Sequence, residues 1–171
     1  MNTDLDMGLN MDLLSIIQKI KRESGHNPGK KQLQKLVYLI QAKGADVGYE
    51  YGIHFYGPYS KELSHDLLSL CVHGLIDFHV EGQTHEIVPS DKPAEMTVAQ
   101  DDLKLIDRVI HQYQACTPSD LELITTAHFV AVNLGNSDHE ILQGVERIKG
   151  DKYPQKEIRA VIQHLREEYA I

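Results

Sequence analysis

The sequence predicts a mainly α, α+β fold: a winged-helix-like N-terminal lobe with a small β-hairpin, followed by a C-terminal helical lobe. Two patterns and one interruption predict it. Apolar residues recur at the spacing of amphipathic helices in seven stretches, and between Ile76 and Val88 the period drops to two. A polar connector containing Pro93 separates these sets. The expected division is therefore 1–90 for the first lobe, 91–99 for the connector and 100–171 for a four-helix lobe packed on it as one compact domain.

Leu13, Ile16, Ile17 and Ile20 place a first helix over Met11 to about Glu23, ended by the run Gly25 to Gly29. Asn27 and Pro28 suit the cap and first turn of a second helix, whose apolar stripe is Leu33, Leu36, Val37 and Ile40 and whose stop is Gly44. Then comes the run GYEYGIHFYGPYSKEL, which holds five of the eleven Phe and Tyr residues. Ile53 to Tyr56 favour a strand and Gly57-Pro58 a turn. Ser60 can cap a third helix with Leu63, Leu67, Leu70 and Cys71 inside, stopping at Gly74. Ile76, Phe78 and Val80 alternate with polar residues, and after Gly82 the stretch His85 to Val88 reads as the returning strand of a hairpin.

Beyond the connector, Leu103, Ile106, Val109, Ile110 and Tyr113 mark a fourth helix. Thr117 to Asp120 resembles a capping box with proline in the first turn, opening a fifth helix that is apolar nearly all round and so belongs at the centre of its lobe. Ser137 and Glu140 suit the cap of a sixth, and the seventh follows Pro154.

The net charge is -8, and acid outnumbers base on both sides of residue 90. Duplex binding draws most of its affinity from Lys and Arg against phosphate, so this balance disfavours it, apart from one basic stretch, Lys19, Lys21, Arg22, Lys30, Lys31 and Lys35. The third helix, which would enter the major groove of a winged-helix protein, offers only Lys61 among the residues that read base edges. Cys71 and Cys116 have no metal-site spacing and read as reduced core residues. No leader and no apolar run near 20 residues is visible, so the expected location is the cytoplasm.

Chemistry is hard to find. Ser64, His65 and Asp66 are consecutive on a helix and point about 100° apart, so they cannot form a triad. His79 and His85 could face each other across the hairpin but lack a third ligand. No dinucleotide, Walker or nucleophile-elbow motif occurs. The expectation is a protein that is not an enzyme, with no cofactor and no metal. His128 interrupts the most apolar helix and needs hydrogen-bond partners if buried, which makes it a core anchor or a contact, with Phe129 beside it.

Four pieces follow one another: KKQLQKLVYLIQ, HFYGPYSKELSHDL, GLID and LELITTAHFV. Together they resemble the YwgA-like family of small bacterial proteins, and also the C-terminal toxin-binding domain of DarG-type antitoxins, which oppose toxins that ADP-ribosylate DNA. The matching residues are Lys31, Gln34, Lys35, Leu36, Tyr38, Tyr56, Gly57, Pro58, Tyr59, Leu121, Glu122, Leu123 and His128, with Phe129 at an aromatic position, and the resemblance runs from about Lys30 to Leu165. A looser similarity to the antitoxin-associated Panacea domain covers the first half only. The resemblance implies a domain that holds its toxin by occupying the toxin's DNA site. In those proteins a separate macrodomain removes the ADP-ribose, and no part of this chain corresponds to it, so hydrolase activity does not carry over.

The functional expectation is a non-enzymatic protein-interaction module, antitoxin-like or accessory, whose partner is a DNA ADP-ribosyltransferase toxin or another nucleic-acid enzyme. The competing expectation is a winged-helix nucleic-acid-binding regulator. Candidate partner-binding residues are Lys31, Lys35, Tyr38, Tyr56, Gly57, Pro58 and Tyr59. Tyr56 is expected to be largely buried and Tyr59 partly exposed, because Ser60 must open the next helix at the surface.

Overall fold

A computed structural model describes residues 8–171. The first seven residues, on which the reading of the acidic start partly rests, lie outside the described residues. Among those described, the fold is mainly helical with two small antiparallel hairpins, in the order α1 (Met11–Ser24), α2 (Lys30–Ala42), β1 (Gly52–His54), β2 (Gly57–Tyr59), α3 (Lys61–Val72), β3 (Ile76–Glu81), β4 (Thr84–Pro89), α4 (Gln100–Tyr113), α5 (Pro118–Asn133), α6 (Asp138–Lys149) and α7 (Gln155–Glu168). The chain divides into two compact units. One comprises the residues up to Tyr51 with Ser60–Ala115; the other comprises Gly52–Tyr59 with Cys116–Ile171.

In the first unit, α1 is capped by Asn10, whose side chain accepts from the Leu13 N–H at 3.0 Å, and ends at Gly25 in the left-handed region. Its stripe of Leu13, Ile16, Ile17 and Ile20 is buried, as are Leu33, Leu36, Val37 and Ile40 of α2. The unit includes α4, which the sequence division placed in the second lobe. Its buried Ile106, Val109, Ile110 and Tyr113 form one face, and α4 packs against α1 and α2. A stripe of apolar side chains specifies burial without specifying against which partner, so a polar connector in sequence need not be a boundary in space.

The start of α2 also differs. Its N-cap is Gly29, not Asn27, and Asn27 to Gly29 run beside β4 instead. The Ile87 N–H donates to the Pro28 carbonyl at 2.8 Å, Gly29 bridges Glu86, and the Asn27 amide donates to Glu86 Oε1 at 2.9 Å. Proline has no N–H to offer a strand but keeps its carbonyl, and here that carbonyl is what the hairpin uses. The hairpin β3–β4 has six rungs, from Ile76↔Pro89 to Glu81↔Thr84. Its alternation fades toward the turn, where Val80 is exposed.

The second unit is built on α5, which packs on α6, α7 and β2. Thr117 caps α5 by accepting from the Asp120 N–H at 3.1 Å, and Ser137 with Glu140 completes a capping box on α6. Residues 121–128 of α5 are all buried, as an all-round apolar helix requires. Gly144 lets α6 approach closely: a Cβ there would lie 2.4 Å from a Val130 methyl.

Candidate functional site

The aromatic run folds as a hairpin, but its turn is not Gly57-Pro58. The rungs are Gly52↔Tyr59, Ile53↔Pro58 and His54↔Gly57, so the chain reverses at Phe55 and Tyr56. Gly57 lies inside β2, with φ near +97° and with Thr126 Oγ1 3.1 Å from where a Cβ would stand. Glycine is needed there for two reasons, the backbone angle and the close approach to α5. Gly57 and Pro58 are buried, whereas all three residues of β1 face solvent. Phe55 is 86% exposed and Tyr56 48%, with their rings edge to face at 5.1 Å. The expectation of a buried Tyr56 is therefore corrected: a residue at the reversal points away from the helix its strand packs on. Tyr59 is partly exposed, and its ring lies 4.7 Å from that of His54.

Charge is buried behind the hairpin. Glu122 of α5 accepts from Lys149, from Lys152 at 2.5 Å and from the Tyr153 hydroxyl at 3.0 Å. Lys149 also donates to the Phe55 carbonyl at 2.7 Å. The side chains of Glu122 and Lys149 are only 7% and 4% exposed. Burial by itself would raise the Glu122 carboxyl above the usual range, but the hydrogen bonds from Lys149 and Lys152 outweigh it and hold the group below that range. The same bond to Glu122 raises Lys152. One carboxylate faces two ammonium groups, so the cluster keeps a net positive charge; Glu122 and Lys149 are its buried pair, and Lys152 is half exposed. Thr126 Oγ1, facing Gly57, is buried without a hydrogen-bond partner.

The contacts expected from α2 do not present themselves. Lys31 is exposed, but Lys35 and Tyr38 are 4% and 8% exposed and cannot touch a partner in this conformation. The helix instead grips its own chain with two glutamines, Gln34, named from the sequence only for the resemblance it carries, and Gln41, not singled out there. Gln34 forms a two-way pair with the Ser60 backbone, donating to its carbonyl and accepting from its N–H, both at 2.9 Å. Gln41 does the same with Tyr49, both at 2.8 Å. Seven residues apart, Gln34 and Gln41 occupy one face of α2. They pin the residues on either side of segment 50–59. The available signal was two glutamines, seven apart, on the face of α2 that carries Val37 and Tyr38.

The other tyrosines of the run are anchors. Tyr49 donates to Asp66 at 2.7 Å, and Tyr51 donates to the Gln34 carbonyl at 3.1 Å with its ring edge-on to Tyr38. Burial keeps both phenols well above their ordinary pKa, so they act as neutral donors. Asp66 is thus committed to Tyr49 and Asn10, and His65 stays exposed beside it. In the β3–β4 register His85 faces Val80, not His79, and His79 instead meets Glu86 at 3.2 Å. Cys71 and Cys116 are half-buried free thiols and not core residues.

His128 is buried, with its ring 5.1 Å from that of Tyr169, and burial lowers its pKa to about 4. At neutral pH it is an uncharged imidazole. Phe129 beside it is half-buried. A cleft of about 580 Å³ in the first unit is lined by Lys21 and Arg22 of the basic stretch and Lys92 with Asp91 and Glu95, and holds none of the candidate partner-binding residues. Among the described residues no group of three or more His, Cys, Asp or Glu is placed to hold a metal ion, and no helix is long and apolar enough to cross a membrane.

No family model matches the chain. It is similar to a YwgA protein. Over 60 residues it is 37% identical to "Uncharacterized protein YwgA" of Bacillus subtilis (strain 168), a stretch that covers 35% of this chain. The chain spans 36% of that relative's length, and over that stretch the likeness supports a YwgA-like family.

Proposed function

We propose that this chain is a non-enzymatic protein-interaction module, antitoxin-like or accessory, and that it meets its partner with the tip of β1–β2. The observation that carries this reading is the pair Phe55 and Tyr56, adjacent at a reversal and 86% and 48% exposed. Neither ring is needed to fill the unit that carries it. Large aromatic area left in water is favoured where a partner will cover it, and aromatic anchors dominate interface energies.

The net charge of -8 suits a basic partner groove. A nucleic-acid-modifying enzyme, such as a DNA ADP-ribosyltransferase toxin, has such a groove, and an acidic protein competes with nucleic acid for it and is steered toward it. Affinity capture with the tagged protein from its native cell should recover one stoichiometric partner. The double variant F55S/Y56S should lose that partner while keeping its fold. Equal recovery by both proteins would place the contact elsewhere.

A second reading, a winged-helix nucleic-acid-binding regulator, is favoured by the order α1, the Gly29–Glu86 bridge, α2, α3 and β3–β4. Against it, the exposed face of α3 carries Leu68 and Val72, 57% and 75% exposed, where base readout would place Arg, Lys, Asn or Gln. Gel shifts over a salt series separate the two readings. The interaction-module reading expects no shift even at about 50 mM salt, whereas real phosphate contact gives affinity that falls steeply as salt rises.

A further inference from the structure

The reversal at Phe55 and Tyr56 is short. β1 is exposed along its length, and the tip rings are 86% and 48% exposed. A cation from the helices reaches the backbone of the tip. Lys149, in the last turn of α6, places its ammonium on the Phe55 carbonyl at 2.7 Å and on Glu122 Oε1. An ammonium has three protons on one atom, so it can satisfy a carbonyl and a carboxylate together, and charge makes both bonds stronger than neutral ones. Glu122 does not depend on Lys149 alone, because Lys152 and Tyr153 also donate to it. Lys152 is 46% exposed, which leaves it free to follow the carboxylate. Of the two lysines it is Lys149 that reaches the Phe55 carbonyl, whereas Lys152 meets the other carboxylate oxygen. The two lysines therefore do different work, although both touch the same carboxylate.

We infer that Lys149 is the positioning residue of the hairpin tip: its charge ties the reversing peptide to α5 through Glu122 and so fixes the direction in which Phe55 and Tyr56 are presented. Gly57 complements it at the other end of the turn, letting β2 lie flat on α5 while Lys149 holds the tip. The partner that fits such a device is a pre-shaped cleft that accepts two adjacent rings in one orientation. Such a surface binds tightly because little ordering remains to be done at the moment of contact. This inference rests on the reading of the tip as a contact surface, but its first test does not.

Hydrogen exchange of the free protein reads the tip directly. Lys149→Met should speed exchange of the amides in residues 52–59 by about tenfold, with α5, α6 and α7 still protected, since a local opening is separable from a global one. Lys152→Met should leave residues 52–59 within about twofold of the unchanged protein. Equal exchange in K149M and the unchanged protein, or equal acceleration by K149M and K152M, overturns the inference. If K149M loses protection throughout α5 to α7, Lys149→Arg is read instead. It keeps a charge for Glu122, but its longer, planar guanidinium cannot take the place of the compact ammonium between the carboxylate and the Phe55 carbonyl, so residues 52–59 should still exchange about threefold faster; no change overturns the inference. With a partner in hand, K149M should capture less of it, and F55S/Y56S should capture none. Loss of the partner with F55S/Y56S but normal tip exchange in K149M sinks the role of Lys149 alone. Fast tip exchange in K149M with undiminished capture by both K149M and F55S/Y56S sinks the contact reading alone.

Discussion

β1–β2 and β3–β4 are both two-stranded antiparallel hairpins, and they treat water in opposite ways. β3–β4 has six rungs, shows water Asp77, Glu81 and the His79–Glu86 pair, and rests Phe78 under the Lys30 ammonium at 3.9 Å. Its single large exposed apolar residue is Val80. β1–β2 has three rungs and shows water Ile53, Phe55 and Tyr56, with its charges behind it. Charged outer faces are how exposed strands avoid unwanted pairing, and β1–β2 forgoes that protection. Two-stranded hairpins are marginal by themselves, so each needs an anchor. β3–β4 uses the backbone of Pro28 and Gly29, whereas β1–β2 uses a close glycine and a buried lysine. The difference separates a hairpin faced with charge from one that leaves aromatic surface in water, as the proposed contact requires.

The largest effect should come from removing the charge behind β1–β2. Glu122→Ala leaves Lys149 buried without its counter-ion and should cost about 3–5 kcal/mol in urea unfolding followed by circular dichroism. A loss below about 1 kcal/mol would mean that the cluster is solvated and not an anchor. The matching change at the other hairpin, Glu86→Ala, removes the partner of the exposed His79 and of the half-buried Asn27 amide and should cost about 1 kcal/mol.

Acid should act next, through His128. Its pKa is lowered to about 4 in the fold, so the unfolded chain binds a proton first, and stability is complete above about pH 6.5 and falls as the pH drops toward 4. The loss is on the order of 3 kcal/mol across that window, and His128→Asn should flatten it. Glu122 adds to the loss only at lower pH, because its carboxyl is held below the usual range: its contribution is present above the unfolded value and disappears as pH falls through the folded one. Hydrogen exchange should show α5 to α7, the helices of the unit carrying β1–β2, losing protection in this window before α1 to α4. Uniform loss across all seven helices would erase the distinction.

Smaller still, Gly57→Ala should cost about 1–3 kcal/mol, from the backbone angle and the contact with Thr126 together. Gly82→Ala, in the turn of β3–β4, has a positive φ but open space around it and should cost about 1 kcal/mol. Equal costs would show that α5 gives way. The smallest stability effect belongs to F55S/Y56S, within about 0.5 kcal/mol, although binding should vanish. A large loss of stability in that variant would make the rings structural and remove the basis for calling the tip a contact surface.

Helix positions were legible wherever a stripe and a cap agreed: Ser60, Thr117 and Ser137 cap α3, α5 and α6 as the sequence suggested. Asn27-Pro28 looked like the same signal and was not, because β4 competes for that backbone. The aromatic run was legible as important but not in its parts. Gly-Pro marks turns in general, yet here Gly57 answers to Thr126, about seventy residues away, which no local pattern encodes. The buried set of Glu122, Lys149, Lys152 and Tyr153 was invisible for a similar reason. Glu and Lys in helices read as solvated faces until something is seen to cover them.

Alone, the sequence determined the helical periods, the caps of α3, α5 and α6, the two-residue period of β3–β4 and the acidic balance, because each arises from neighbours along the chain. The tertiary structure decided that α4 belongs with α1 and α2, that Gln34 and Gln41 hold backbone, and that Phe55 and Tyr56 face water while Lys35 and Tyr38 do not. Exposure is a property of what packs above a residue. Residues far apart in the chain supply that cover, and a local pattern carries no record of which ones will.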